Sequence, residues 1–314
     1  MKQIIAIALL LMCSSFGYAQ RNNNNHIQQT TVSKPKLNNS SNEAKQRRLE
    51  EQRRREAAER EEQQRLEQEK LNALRWDDTQ KTLCYNGQTY PMVFVSGGSF
   101  TMGEKYVHTD GKQGDKCDQP DARLVSVTLS NYYIGKYEIT QDLWAIVMGS
   151  NPSSIKGNRM PVTNVSRGEC LAFISRLNSL TGQLFRLPTE EQWEFAARGG
   201  VNSQGYIYSG SNNLNSVGWY SENSGNVIHE VGQKKPNELG LYDMSGNICE
   251  WCLGIYGSHR YGPQSWACSY SQDLVTRGGN YNFSYDRCTS TIREIQEQYA
   301  QNGSIGFRII LIEE

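Results

Sequence analysis

The sequence lacks an excess of charge of either sign, and it has few histidines. Its 314 residues include 33 Lys and Arg against 33 Asp and Glu, so the formal net charge is zero. This balance argues against partners recruited by a global field, such as nucleic acid or a charged membrane surface. The histidines lack the spacing of a zinc or iron site; they are His26, His108, His229 and His259.

Two other enzyme signatures are also missing. The sequence has no Gly-x-Ser-x-Gly nucleophile elbow and no glycine-rich loop of the kind that binds phosphate. These absences argue against a serine hydrolase and a nucleotide-dependent enzyme. We therefore expect this chain to recognise its partner by shape rather than by overall charge.

The apolar run at residues 4–12 is too short to cross a bilayer as a permanent helix. It follows a basic start and precedes a Gly17-Tyr18-Ala19 ending, a pattern typical of a secretory signal at residues 1–19. We expect cleavage after Ala19 and export to the periplasm or the extracellular space, with no transmembrane span. A lipid anchor at Cys13 is the alternative, but Met12 is larger than the residue that normally precedes such a cysteine.

Cysteines are present in an odd number once the signal is removed. The seven that remain are Cys84, Cys117, Cys170, Cys249, Cys252, Cys268 and Cys288. Disulfides persist in exported proteins, but an odd count leaves at least one thiol free or paired between molecules. The spacing alone does not determine the connectivity.

The first part of the mature chain changes composition once. Residues 20–43 are polar and poor in apolar side chains, which predicts a disordered tether. Residues 44–75 are rich in Arg, Glu, Gln and Ala with opposite charges three or four positions apart, which predicts a long polar helix. Its leucines do not sustain a heptad seam, which favours a solvated spacer; a weakly oligomerising coiled coil is the alternative.

Residues 83–314 are predicted to form one irregular, loop-rich α+β domain. Short strand-like runs lie between glycine, asparagine and proline turns, and we interpret residues 92–95 and 99–103 as a hairpin. Further strands are predicted at 125–129, 132–137 and 307–312.

Three helices are indicated by their start signals. Thr140 precedes an apolar-periodic run that stops at Gly149. Ser166 with Glu169, and Thr189 with Gln192, have the spacing of capping boxes, in which each side chain bonds the other residue's backbone amide. Little helix is expected after residue 200.

The motifs of this domain resemble those of the formylglycine-generating enzyme (sulfatase-modifying factor) family, whose fold is C-type-lectin-like. The matching blocks follow the family order over residues 92–312; they are Gly97-Gly98-Ser99-Phe100, Tyr137-Glu138-Ile139-Thr140, Gly149-Ser150-Asn151-Pro152, Pro161-Val162-Thr163-Asn164, Arg186-Leu187-Pro188-Thr189-Glu190, Gly240-Leu241-Tyr242-Asp243-Met244-Ser245-Gly246-Asn247, Arg277-Gly278-Gly279 and Gly306-Phe307-Arg308. The resemblance implies the loop-rich fold predicted above, preceded here by the polar helix.

The resemblance also implies a structural calcium ion. It would be held by the side chains of Asp243 and Glu250 and the backbone carbonyls of Gly246 and Ile248. Calcium takes several oxygen ligands at once and tolerates irregular loops, so the chemistry agrees with this site. The alternative is that both acids cap turns or bind arginine without a metal.

The residues that the family uses for catalysis are incomplete. Relatives that oxidise a sulfatase cysteine to formylglycine use two cysteines five positions apart, shortly after the Gly-Gly turn, to bind copper, which soft thiolates suit. Here the segment after Gly279 contains only Cys288. Copper is therefore not expected, and Cys288 is a catalytic candidate only if the chain is active.

Two other roles for the cysteines stay open. Cys249 and Cys252 form a Cys-x-x-Cys, but redox chemistry requires a lowered thiolate pKa at a helix start, and this pair lies in an irregular loop. A structural disulfide between Cys252 and Cys288 is the other interpretation.

The segment 277–293 is rich in the residues that binding surfaces favour. Tyrosine and asparagine provide contact area and adaptable hydrogen bonds at modest entropic cost. The ligand-binding candidates are Asn280, Tyr281, Asn282, Tyr285, Arg287 and Arg293. The alternative is an ordinary surface loop.

Three functions follow from these observations. The first is an exported, non-catalytic domain, a pseudoenzyme that binds a protein or glycan ligand on the 277–293 face. The second is a divergent oxidase that acts on a sulfatase cysteine. The third is an envelope assembly component that uses the 44–75 helix to contact its complex.

Overall fold

The computed structural model describes residues 39–103, 124–254, 274–297 and 299–312. The chain forms two compact units, Met1–Ala58 and Glu59–Glu314. The predicted signal peptide, the alternative anchor Cys13 and most of the predicted tether lie outside the described residues. Cys117, Cys268 and three of the histidines also lie outside them.

A long helix, α1 (Asn39–Ala73), is the first described element. It begins five residues before the predicted start, because the polar residues after Asn39 extend an existing helix at little cost. It ends two residues before the predicted end. The side chains described between residues 42 and 69 are exposed. Ion pairs one turn apart support it, such as Arg55 with Glu51 at 2.6 Å and Arg65 with Glu62 at 2.6 Å.

The predicted polar helix is therefore confirmed. Within the described residues, no helix combines the length and the apolar character needed to cross a membrane.

The second unit contains short strands. In chain order they are β1 (Arg75–Asp77), β2 (Thr82–Tyr85), β3 (Gln88–Val95), β4 (Gly98–Met102), β5 (Val125–Leu129), β6 (Tyr132–Gly135), β7 (Phe185–Arg186), β8 (Cys249–Trp251), β9 (Leu274–Arg277), β10 (Arg293–Gln296), β11 (Ile305–Gly306) and β12 (Ile310–Leu311). They form a six-stranded sheet β1-β2-β3-β6-β12-β7, a four-stranded sheet β10-β9-β8-β11 and a β4-β5 ribbon.

The predicted hairpin of residues 92–103 is wrong, although both of its strands exist. β3 pairs with β2 and β6, whereas β4 pairs with β5. The chain leaves one sheet for the other at Gly97, whose amide donates to Asn131 Oδ1 at 2.8 Å. A Cβ at Gly97 would lie 2.4 Å from the Leu129 carbonyl oxygen, so the close crossing requires glycine.

The helices of the second unit follow the predicted start signals. They are α2 (Gln141–Met148), α3 (Arg167–Thr181), α4 (Glu190–Ala197) and the one-turn α5 (Leu214–Val217). Both predicted capping boxes form, at Ser166 with Glu169 and at Thr189 with Gln192. Thr140 is the N-cap of α2, but its hydroxyl bonds Asp142 instead of a backbone amide.

Aromatic side chains fix α2 and α3 against the C-terminal strands. Trp144 and Phe173 stack with ring centroids 5.2 Å apart, and Phe307 meets both rings edge-on. Of the predicted strand 307–312, only β12 at Ile310–Leu311 forms, because Phe307, Arg308 and Ile309 pass through the buried core between β11 and β12. This path places Arg308 beside the 243–250 loop.

Candidate functional site

The 243–250 loop is buried and has an unusual backbone. Asp243, Gly246 and Asn247 adopt positive φ angles of 58°, 86° and 58°. A Cβ on Gly246 would lie 2.2 Å from the Trp219 carbonyl oxygen, so only glycine fits at that position. The loop therefore has one tightly specified course, which directs its acidic side chains into the interior.

Glu250 forms a buried ion pair with Arg308. The guanidinium donates from Nε to Oε2 and from Nη2 to Oε1, each at 2.6 Å. Trp193 Nε1 also donates to Oε2, at 2.7 Å. All three side chains are fully buried, so the geometry is that of a bidentate, charge-assisted pair.

Asp243 and Glu138 add two more buried carboxyl groups. Asp243 Oδ2 accepts from the Gly232 amide at 2.7 Å, and Glu138 accepts from Asn247 Nδ2 at 2.8 Å. Burial raises the pKa of Glu138 well above its usual range, and nearby Asp243 and Glu250 add to the effect. Burial likewise raises the pKa of Asp243, to about 6. Sequence reasoning missed Glu138 as a site residue, although it lies in one of the matching blocks.

The loop meets part of the requirement for a hard cation. Asp243 Oδ1 is buried and has no hydrogen-bond partner among the described residues, so one carboxylate oxygen is available. Glu250 Oε2 already accepts two hydrogen bonds, whereas Oε1 accepts one and keeps a lone pair. Three buried carboxyl groups also face the single guanidinium of Arg308.

The donor set fits calcium only if backbone oxygens complete it. The described part of the chain contains no cluster of three or more His, Cys, Asp or Glu side chains suited to a metal ion. Calcium accepts backbone carbonyls as ligands, and the predicted set includes those of Gly246 and Ile248. Asp243, Glu250 and these two carbonyls are thus the residues that would hold the ion.

The thiols do not pair as predicted. Cys84, Cys170, Cys249, Cys252 and Cys288 are all free, so the predicted Cys252–Cys288 disulfide is absent. Cys252 packs in the hydrophobic cluster around Trp193, whereas Cys288 packs in a different cluster with Tyr208 and Tyr220. The segment that carries Cys288 approaches β8 from the other face.

The alternation of side chains along β8 and the residue after it also separates the Cys-x-x-Cys residues. Cys249 and Trp251 belong to one hydrophobic cluster, and Cys252 belongs to another. Side chains three positions apart on an extended chain point to opposite faces. Burial raises the pKa of Cys252 well above its usual value, so this thiol is not an activated nucleophile.

Half of the predicted binding residues are taken up by internal contacts. Asn280 is buried, and its Oδ1 accepts from the Asn282 amide at 2.9 Å. Arg293 forms a nearly buried bidentate pair with Glu190, with distances of 2.5 Å and 2.7 Å. Arg287 pairs with Glu294, and its Cζ lies 3.8 Å from the Phe283 ring centroid, but its side chain is still 44% exposed.

The other three predicted binding residues reach the surface, as Arg287 does. Asn282 is exposed, Tyr285 is 56% exposed and Tyr281 is half-buried. The Ser290 amide donates to the Ile207 carbonyl oxygen at 3.0 Å, which brings Ile207, 51% exposed, to the same segment. We call Asn282, Tyr285 and Ile207 the tyrosine face.

Comparison with known proteins places these observations in a family context. Residues 79–312 match the model of the sulfatase-modifying factor enzyme 1-like domain. A Paenibacillus barcinonensis protein named chaperone protein LppX is 33% identical over 245 residues, which cover 62% of this chain and 82% of that protein. The formylglycine-generating enzyme of Mycobacterium tuberculosis is 30% identical over 156 residues, 40% of this chain and 50% of the enzyme.

A solved structure shows the same architecture. Treponema denticola variable protein 1 superposes with a TM-score of 0.60 at 28% sequence identity, over 74% of this chain and 98% of that protein. The predicted α+β fold is therefore confirmed.

Proposed function

The chain belongs to the family of sulfatase-modifying factor enzyme 1-like domains, and from that premise we propose that it is an exported, non-catalytic binding protein. The observation that carries this proposal is the state of Cys288, the one cysteine at a position where the resemblance implies a catalytic thiol. Its side chain is fully buried. Desolvation raises the pKa of this thiol to about 12, so its nucleophilic thiolate is scarce near neutral pH.

The tyrosine face is the surface that we assign to ligand binding. Tyrosine and asparagine give a large contact area with adaptable hydrogen bonds, as binding surfaces favour. The ion pairs of Arg287 and Arg293 hold the segment behind this face. The ligand class that we favour is an incompletely folded protein, because a relative that shares most of its length with this chain is named a chaperone.

A binding assay tests this assignment. The purified chain is mixed with a chemically denatured model protein, and the light scattering of its aggregation is followed over time. We expect the wild-type chain to suppress the aggregation and Tyr285→Ala to weaken the suppression several-fold. Tyr299→Ala is the matched control, since Tyr299 is 81% exposed and lies outside the tyrosine face. Equal suppression by both variants would contradict the assignment.

A calcium ion bound at Asp243, Gly246, Ile248 and Glu250 is part of the proposal. The unpartnered Asp243 Oδ1 supports it, together with the excess of buried carboxyl groups over guanidinium. The ion would neutralise the excess negative charge of the buried carboxyl groups and fix the course of the loop. Its proposed role is therefore structural. Copper is not part of the proposal.

A divergent oxidase is the second candidate, and one observation favours it. The structure brings Cys249 to the same residue as Cys288, since both sulfur atoms contact Asn280. Two neighbouring thiols could restore chemistry if the segment opened to solvent. Formation of formylglycine in a sulfatase-motif peptide would distinguish this activity from binding alone.

An envelope assembly role is the third candidate, and it rests on α1. The exposed charged side chains of this helix suit a spacer or a contact with a polar partner. Deleting residues 44–69, whose described side chains are exposed, spares the buried Leu74. This deletion would disturb localisation or complex formation if the helix assembles, and it would leave both unchanged if the helix is only a spacer.

A further inference from the structure

Two cysteines that are distant in sequence contact the same residue. Cys249 Sγ lies 3.4 Å from Asn280 Nδ2, and Cys288 Sγ lies 3.8 Å from the Asn280 carbonyl oxygen. Both thiols are free and buried. Cys249 is on β8, and Cys288 ends a 3-10 turn at Tyr285–Cys288.

The fold holds the second cysteine at this position. Gly279 has a φ of +71°, and a Cβ there would lie 2.8 Å from Cys288 Sγ and 2.2 Å from the Arg287 carbonyl oxygen. The chain after the Gly-Gly turn therefore folds back onto the turn itself. Phe283 packs against both the cluster that contains Cys249 and the cluster that contains Cys288. These contacts keep the two thiols near each other in the folded state.

Cys252, which follows β8 directly, is excluded from this arrangement. Cys252 Sγ contacts the Glu250 carbonyl oxygen and packs with Trp193 on the other face of β8. Cys252 and Cys288 therefore pack in different clusters. Cys249 is thus the thiol of β8 that Cys288 can reach.

We propose that Cys249 and Cys288 are a disulfide-forming pair that joins β8 covalently to the 280–288 segment. The electron acceptor is a small disulfide of the glutathione type. Cys288 first attacks it to give a mixed disulfide and release one reduced thiol. Cys249 then attacks the Cys288 sulfur, releases the second reduced thiol, and the protein loses two hydrogen atoms in total.

The resting structure keeps this reaction slow. Burial raises the pKa of the Cys288 thiol, so the attacking thiolate is scarce near neutral pH. The Asn280 side-chain amide must also leave Cys249 before the two sulfur atoms can meet. Oxidation therefore requires a transient opening of the 280–288 segment. The resulting bond would hold Asn282 and Tyr285 of the tyrosine face in place, although the inference does not depend on what that face binds.

Disulfide mapping of the full chain tests the proposal. The chain is purified reduced, incubated with oxidised glutathione, alkylated and digested, and its linked peptides are identified by mass spectrometry. We expect a Cys249–Cys288 linked peptide in the wild-type chain and in Cys252→Ser, which removes a buried thiol from the other face. We expect no such peptide in Cys249→Ser. Asn280→Ala should form the same bond several-fold faster, because the blocking amide is gone.

Other products would overturn the proposal. A bond from Cys288 to Cys252, Cys117 or Cys268 would do so, as would a Cys288 that stays reduced or stops at the glutathione adduct after prolonged incubation. The wild-type map decides the question even if Cys249→Ser fails to fold. Hydrogen exchange gives an independent readout, since oxidation should slow amide exchange in residues 280–288 and leave α3 unchanged.

Discussion

At the scale of single residues, the most distinctive feature of the interior is a group of buried ionisable side chains. Glu138, Asp243 and Glu250 surround one guanidinium, that of Arg308, in the interior. Moving a carboxylate out of water is unfavourable unless a charge or several hydrogen bonds compensate it. Glu250 has such compensation from Arg308 and Trp193, whereas Asp243 keeps one unpartnered oxygen. The two acids of the predicted metal site are therefore not equivalent.

The first prediction concerns calcium and pH. The pKa of Asp243 is raised to about 6 in the metal-free protein. Folding therefore favours the protonated carboxyl. The contribution of Asp243 to the free energy of unfolding is fully present below the unfolded pKa of about 4 and is lost as the pH rises through about 6. Calcium binds the ionised form, so it should raise the melting temperature more at pH 7.5 than at pH 5. Differential scanning calorimetry with calcium or a chelator measures this difference.

Two variants make the calcium prediction specific. Asp243→Asn should abolish the difference between calcium and chelator, whereas Asp78→Asn, which alters a carboxylate in an exposed turn, should preserve it. If calcium does not change the melting temperature at either pH, the proposed calcium site is wrong.

The second prediction concerns the Arg308–Glu250 pair. Arg308→Met leaves the Glu250 carboxylate buried without its partner, which should lower the free energy of unfolding by about 3–5 kcal/mol. Adding Glu250→Gln should restore part of that loss, because the uncompensated charge is removed. Arg55→Met breaks an exposed pair with Glu51 and should cost less than about 1 kcal/mol. Urea denaturation measures all three; equal losses for Arg308→Met and Arg55→Met would contradict the role of the buried pair.

At the scale of elements, local signals and long-range pairing differ in how well the sequence predicts them. The capping boxes at Ser166 and Thr189 form as predicted, because each depends on residues three positions apart. The hairpin prediction was wrong because β3 pairs with β6, which lies beyond β4 and β5 in the sequence. Strand partners depend on sheet packing that short windows of sequence do not contain.

The third prediction belongs to helix α3. Ser166→Ala removes the hydroxyl that accepts from the Glu169 amide, and it should destabilise the protein by about 1 kcal/mol. Ser179→Ala changes an exposed serine in the same helix, whose hydroxyl bonds a carbonyl of the preceding turn, and it should be nearly neutral. Urea denaturation measures the free energy of unfolding of both variants. If Ser166→Ala leaves it unchanged, tertiary packing alone stabilises the start of α3.

At the scale of the whole molecule, the family blocks predicted the fold, but they did not predict the site in full. Glu138 reaches Asn247 across 109 positions, and Cys288 meets Asn280 beneath a turn that requires glycine. Such contacts follow from the path of the chain rather than from spacing. The predicted binding residues are partly buried and partly exposed for the same reason. Arg293, for example, is buried because it pairs with Glu190, which lies 103 positions away in the sequence.

The fourth prediction concerns α1. Removing residues 39–58 should leave the melting temperature of the remaining domain unchanged, because the side chains described in that stretch are exposed. Leu74→Ala, just after the helix, removes a side chain that is 3% exposed, and it should cost about 2–5 kcal/mol. A large drop in the melting temperature after the deletion would show that the helix stabilises the domain.

The central claim is that this chain retains the family scaffold without the oxidase chemistry. Mass spectrometry of a sulfatase-motif peptide, after incubation with the purified chain, copper, oxygen and a thiol reductant, tests the claim most directly. The account predicts that the peptide cysteine keeps its original mass, as in a reaction with Cys288→Ser. Conversion to formylglycine by the wild-type chain, and its loss in Cys288→Ser, would contradict the account.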